Sequence, residues 1–297
     1  MEIGIIGLGR MGQAMAIRLA NKGHRVLAYD VSSAAIASVV ERGLEGAENL
    51  KRMAEALKPP RIIWLMVPAG KAVDEVIFNG LMPYLAAGDL LVDGGNSNYK
   101  DTIRRAAKLA ENGIGFMDVG TSGGIKGVKS GLSLMAGGSK QDFRRLEPVL
   151  KDLAAENGYG LMGDIGTGHF VKTVHNGIEY ALLQSYAEGF ELLKEGPFEI
   201  DLGMVARVWN NGSVVRSWLL ELAQEILESD GLNEVADEVG GGQTGRWAAE
   251  AALEHEVPFT MLGAALSERY RSRRESFAAR MVAALRRGFG GHPVKKK

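Results

Sequence analysis

The chain has 297 residues, no cysteine, and 35 Lys and Arg against 36 Asp and Glu, a formal net charge of -1. That length accommodates two ordinary domains with sizeable cores, and the charge balance gives no global field to hold nucleic acid or an anionic membrane. Disulfides, thiolate nucleophiles and cysteine-ligated metals are excluded, and no apolar run approaches the ~18 residues of a membrane span, so a cytoplasmic protein is expected.

The first half alternates short apolar runs with helical patterns. The runs are 3–6 (IGII), 25–30 (RVLAYD), 61–67 (RIIWLMV), 89–93 (DLLVD) and 115–119 (GFMDV). This pattern predicts an α/β fold, with a doubly wound Rossmann-type sheet first. Glycine, at 40 residues, is nearly double its usual share, and much of the excess follows these runs, where ligand loops lie at the carboxyl ends of strands.

The first run leads into GLGRMG, comprising Gly7, Leu8, Gly9, Arg10, Met11 and Gly12. A G-x-G-x-x-G between strand and helix permits a tight turn and brings backbone amides close to a pyrophosphate. Asp30 ends the second run, where a carboxylate accepts hydrogen bonds from ribose hydroxyls and repels a 2′-phosphate. Together they predict NAD rather than NADP. Val67, Pro68 and Ala69 at the end of the third run, and Asn96 after the fourth, are expected to wall the nicotinamide. Farther on, Ser122, Gly123 and Gly124 offer a hydroxyl and unshielded amides to a carboxylate, or else form a flexible hairpin.

From about Thr167 the β signal disappears and long helical patterns follow. The expected division is a dinucleotide-binding domain over 1–165 and an all-helical domain over 166–297. At ~100° per residue, Lys172, His175, Asn176, Glu179 and Tyr180 share one helix face. Leu183, Tyr186, Ala187 and Phe190 continue that stripe with apolar residues, so the helix is expected to be covered on more than one side. Its polar start then marks a cleft, where burial lowers the pKa of a lysine. No metal is expected: His169 and His175 point to different faces, and no H-E-x-x-H or calcium-loop pattern occurs.

GLGRMG, DGGNSNYKDT, SGG, GTGHFVKTVHNGIEY, GRWAAEAALEHEVPFTMLGAALSERY and RRGFGGH occur in this order. In these segments the chain resembles the 6-phosphogluconate dehydrogenase family in its short bacterial form. The resemblance implies that Lys172 is the general base and Glu179 the general acid. Asn96, Ser122, Gly123, Gly124, His175, Asn176 and Tyr180 would line the sugar-acid site, with Arg269 on the phosphate. Arg286 and His292 match tail residues that in the family enter the neighbouring subunit's site, which implies a homodimer or higher homo-oligomer.

The implied reaction is oxidative decarboxylation of 6-phosphogluconate to ribulose 5-phosphate with reduction of NAD. The alternatives are a non-decarboxylating β-hydroxyacid dehydrogenase and a non-catalytic NAD-binding sensor. Three departures stand out. Gly242 occupies the place of a phosphate-contacting lysine of longer members, Pro68 replaces a lysine, and an extra helical repeat is missing.

Overall fold

The structure is a computed structural model and describes residues 1–229, 232, 235–274, 277, 280 and 281. It divides into two compact units, Met1–His175 and Asn176 onward.

The first unit begins β1 (Glu2–Ile6), α1 (Arg10–Asn21), β2 (Arg25–Tyr29), α2 (Ser33–Val40), β3 (Glu45–Gly46), α3 (Leu50–Ala56) and β4 (Ile62–Leu65). A short helix, α4 (Lys71–Asp74), runs into a π-helical stretch, Glu75–Leu81, and a 3-10 turn, Met82–Tyr84. There follow β5 (Leu90–Asp93), α5 (Tyr99–Ala110), β6 (Gly115–Ser122), α6 (Gly124–Ser130), β7 (Leu132–Gly137), α7 (Lys140–Leu153) and β8 (Ala154–Gly163).

The eight strands form one sheet in the order β3-β2-β1-β4-β5-β6-β7-β8. β1 pairs in parallel with β2 on one side and β4 on the other, so the strand order reverses at β1, the place where open α/β sheets bind ligands. Both faces are buried. Ile3, Ile5, Val26, Ala28, Trp64 and Val92 enter one core, and Ile6, Leu27, Ile63, Leu65 and Leu91 enter the other. Covered faces explain why the strands read as continuous apolar runs.

The sheet is mostly parallel, as a doubly wound fold requires, with one antiparallel strand. β7 runs antiparallel to β6, with Asp118 opposite Gly137 and Ser122 opposite Ser133, while β8 returns parallel to β7. The Ser122–Gly124 segment therefore ends a strand and enters α6, and the flexible-hairpin alternative does not hold. Gly123 begins that helix at φ +117, a left-handed conformation that favours glycine.

Helix α8 (Thr167–Glu195) starts in the first unit and continues into the second. Its first turn packs unusually close to β6 and β7. A Cβ on Gly168 would lie 2.3 Å from Met135 O, and one on Gly137 would lie 2.7 Å from Gly168 N. A Cβ on Gly120 would lie 2.4 Å from Lys172 Cβ and 2.8 Å from Gly168 O.

The second unit continues with α9 (Leu202–Asn210), α10 (Trp218–Glu228), α11 (Gln243–Glu254) and α12 (Thr260–Arg271). Phe190 packs with Ala206 and Leu220, and Leu262 and Leu266 with Ala248. The expectation that α8 is covered on several sides is met only in part. Phe190 is buried, but Leu182, Leu183, Ala187 and Leu192 are exposed, because α9 and α10 supply a core to one stripe of the helix.

Gly120→Ala should destabilise the protein by about 2–3 kcal/mol, since one neighbour it strikes is a backbone carbonyl that cannot rotate away. Urea unfolding measures this, and an unchanged midpoint would show that α8 is free to lift from the sheet.

Candidate active site

The turn after β1 has the form a pyrophosphate requires. Gly7 adopts φ +94, and a Cβ there would lie 2.6 Å from Met66 O; a Cβ on Gly12 would lie 1.9 Å from Gly7 O. Gly9 has nothing within 4 Å of its Cβ position, and as N-cap of α1 it provides no side-chain acceptor. The first-turn amides of α1 thus lack a side-chain cap and suit an anion. Leu8 is buried, Met11 half-buried and Arg10 exposed. Leu8 N donates to Asp30 Oδ2 at 2.6 Å and Ser32 N to Asp30 Oδ1 at 2.8 Å, so the carboxylate at the end of β2 is fixed to the glycine turn. These residues fit a dinucleotide.

Val67 and Ala69 are half-buried, and Pro68 and Asn96 exposed, in the segments that follow β4 and β5. A residue outside the sequence expectation braces both segments. Arg105 is fully buried on α5. Its Nη2 donates to Gly70 O at 2.9 Å and its Nε to Asp74 Oδ1 at 2.9 Å; Nη1 lies 3.6 Å from Asp93 Oδ2. Asp93 in turn accepts from Ser97 Oγ at 2.7 Å and from Gly95 N at 3.1 Å. The available signal was a cation on the inward stripe Thr102, Arg105 and Leu109.

At the start of α8 a second buried group sets the geometry. Asp118, on β6, accepts from Gly166 N and His169 N, each at 2.7 Å, and so caps the helix from a neighbouring strand. Thr102 Oγ1 and the ring Nδ1 of His169 lie 2.7 Å apart, in hydrogen-bond contact. An aspartate inside an otherwise apolar strand was the only sequence cue.

From this fixed start, one turn of helix leads to Lys172, only 7% exposed. Lys172 Nζ lies 3.2 Å from His175 Nδ1, and His175 Nε2 lies 3.2 Å from Ser122 Oγ. With Nδ1 accepting from the amine, Nε2 carries the ring proton and donates to the serine hydroxyl. Ser122, His175 and Lys172 form a continuous hydrogen-bonded row able to hold and hand on a proton. Gly123 and Gly124 follow Ser122 directly.

Within the second unit, Asn176 is buried and Glu179 half-buried on α8. The Tyr180 ring lies 3.9 Å beneath the Arg269 guanidinium, and the Tyr180 hydroxyl is 3.4 Å from Thr244 Oγ1. Thr244 also lay outside the sequence expectation. Arg286 and His292 lie outside the described residues. Among the described residues no group of three or more His, Asp or Glu is arranged to hold a metal ion, and no helix is long and apolar enough to cross a membrane.

Residues 2–166 match the model of the NAD binding domain of 6-phosphogluconate dehydrogenase, and residues 168–295 match that of the C-terminal domain. The chain belongs to the 6-phosphogluconate dehydrogenase family. A Haloferax volcanii relative named 6-phosphogluconate dehydrogenase, NAD(+)-dependent, decarboxylating is 46% identical over all of this chain and 99% of its own length. A Bacillus subtilis relative of the same name is 39% identical over 95% of this chain, which spans 64% of that longer protein. The solved Plasmodium falciparum 6-phosphogluconate dehydrogenase superposes with a TM-score of 0.86 at 29% identity, covering all of this chain and 66% of its own. A 3-hydroxyisobutyrate dehydrogenase from Salmonella typhimurium, at 22% identity and a TM-score of 0.75 over 90% of this chain and 92% of its own, shares the fold.

Arg105→Met should lower stability by about 3–5 kcal/mol, because it strands the buried Asp93 carboxylate. Calorimetric melting measures it, and a melting temperature equal to wild type would refute the bracing role. Burial pushes the Asp74 carboxyl up, but Arg105 and Arg104 outweigh it and hold the group below its ordinary value. A lowered folded-state pKa contributes stability that is present above about pH 4 and lost as pH falls through the folded value. Asp74→Asn should therefore flatten the acid limb of a plot of urea midpoint against pH; an acid limb identical to wild type would show that the ion pair does not contribute.

Proposed function

We propose that this protein catalyses oxidative decarboxylation of 6-phosphogluconate to ribulose 5-phosphate and carbon dioxide, with NAD as oxidant. The observation that carries the reading is the row Ser122, His175 and Lys172, built onto a dinucleotide-binding sheet. Full-length identity to a relative named as NAD-dependent and decarboxylating supports both the reaction and the cofactor.

Residues 1–165 form the dinucleotide-binding domain, which also lends residues to the sugar-acid site, and residues 166–297 form the helical domain for substrate binding and dimer formation. Gly7, Leu8, Gly9, Arg10, Met11 and Gly12 would hold the pyrophosphate, Asp30 the adenosine ribose, and Val67, Pro68, Ala69 and Asn96 the nicotinamide side. When bound, NAD supplies the acceptor for hydride from C3 of the sugar acid.

Lys172 enters uncharged and accepts the proton of the 3-hydroxyl, His175 and Ser122 keeping its lone pair directed. With that proton on Lys172 and the C3 hydride transferred to the bound cofactor, the product is a 3-keto acid whose carboxylate lies β to a carbonyl. As carbon dioxide leaves, the bonding electrons move onto the ketone oxygen, and the protonated Lys172 donates to that oxygen. Glu179, seven residues or about two turns along the same helix face, then protonates C1 of the enediol while the enol hydroxyl returns its proton to Lys172, which yields the ketose. Asn96, Ser122, Gly123, Gly124, His175, Asn176 and Tyr180 orient the acid and hydroxyls. Arg269 binds the phosphate, joined by Arg286 and His292 from the neighbouring subunit of a homodimer.

A non-decarboxylating β-hydroxyacid dehydrogenase would use the same lysine but no acid at Glu179. Incubation with 6-phosphogluconate and NAD, or NADP, should give nicotinamide absorbance and carbon dioxide in equal amounts, faster with NAD; reduction without gas would replace this reading with the non-decarboxylating one. Glu179→Ala should retain hydride transfer while slowing ribulose 5-phosphate release by about 100-fold. Undiminished ketose release by that variant would remove Glu179 from its role.

A further inference from the structure

We infer that Arg273 is a further phosphate-binding guanidinium, acting beside Arg269 of the same subunit on the terminal phosphate of the sugar acid. The inference deepens the proposed function and rests on it for the identity of that phosphate. Arg269 lies in the last turn of α12 and Arg273 just beyond it, and both reach one glycine loop. Arg269 Nη1 donates to Gly240 O at 2.9 Å. Arg273 Nε donates to Val239 O and Nη2 to Gly241 O, each at 2.7 Å, and Nη2 also reaches Val239 O. Gly241 and Gly242 adopt φ +72 and +116, which shapes the loop around the two side chains.

Two features set this pair apart from an ordinary basic surface. Arg271, between them in sequence, pairs with Glu268 at 3.2 Å, whereas neither Arg269 nor Arg273 meets a carboxylate among the described residues. Like charges held together without a counter-ion repel, and an anion relieves that repulsion. The loop carbonyls also occupy only part of each guanidinium. Nε and Nη2 of Arg269 and Nη1 of Arg273 keep donors without an acceptor among the described residues.

Gly242 lies beside both side chains. A Cβ built there stands 3.6 Å from Arg269 Cδ and 4.0 Å from Arg273 Nη2, so the absent side chain leaves space bordered by both arginines. Tyr180 fixes the plane of the Arg269 guanidinium from below, and Thr244 places a hydroxyl beside Tyr180. Planar N–H donors, fixed in orientation and bearing full charge, match the oxygens of a phosphate monoester dianion.

The test compares wild type with Arg273→Gln and Arg273→Lys. Glutamine can still donate to a loop carbonyl but has no charge; lysine keeps the charge without the fork. Binding of inorganic phosphate, titrated calorimetrically at constant ionic strength, should weaken about tenfold in the glutamine variant and less in the lysine variant. KM for 6-phosphogluconate should rise in parallel, with KM for NAD unchanged. The inference is overturned if wild type fails to bind phosphate, if glutamine matches wild type, or if both variants lose affinity equally, which would mark Arg273 as a loop brace alone. Arg273-dependent phosphate binding in an enzyme that does not turn over 6-phosphogluconate would uphold the site and refute the proposed activity.

Discussion

The close packing of one helix end against two strands is the constraint on which the rest depends. Gly120, Gly137 and Gly168 remove side chains where α8 meets β6 and β7, and each Cβ position lies within 3 Å of a backbone atom that cannot rotate away. The Asp118 carboxylate then satisfies two amides at the helix start that would otherwise be buried without partners. Burying a carboxylate is costly unless it is fully hydrogen-bonded, and here that cost secures an orientation. With the first turn pinned, the direction of Lys172 follows from helix geometry, and His175 completes the row to Ser122.

A similar economy holds the other half of the first unit. The segment after β5, residues 94–98, is short and polar with two glycines, and has little apolar surface of its own to order it. A single guanidinium, fully removed from water, joins Gly70, Asp74 and Asp93 instead. Replacement by apolar residues of equal volume can match such a cluster in stability, so its value lies in specifying one arrangement of the segments after β4 and β5. Asp93 passes the constraint on through Ser97 and Gly95, on either side of Asn96.

The parts that were legible in the sequence are those governed by local rules. Strand runs with both faces buried, a glycine turn opening a helix, and an aspartate ending β2 each have a physical reason confined to a few adjacent residues. β7 was missed because its partner lies across a seven-residue helix and its direction is decided by pairing, not by composition. The two-residue β3 is too short to carry a period. Asp118 and Arg105 read as interruptions of apolar stripes, and only the fold brings them to Gly166, His169, Gly70 and Asp93. On α8, periodicity registered apolar residues correctly but did not distinguish Phe190, buried against α9 and α10, from the exposed Leu182 and Leu183.

The chemistry and the anchoring place opposite demands on charge. An amine acting as a base must spend part of the cycle neutral, which favours a buried lysine kept close to a histidine. A phosphate anchor must stay cationic throughout, which favours arginine at positions open enough to remain hydrated before substrate arrives. The described residues separate these demands: Lys172 is 7% exposed on a pinned helix turn, while Arg269 and Arg273 sit on half-buried and exposed positions around a glycine loop. Under the proposed function, binding energy gained at the phosphate is remote from the reacting carbons and would assist the reaction through orientation. For that reason the proposed function expects a change in which cation meets the phosphate to alter substrate affinity and leave the proton-transfer groups as they are.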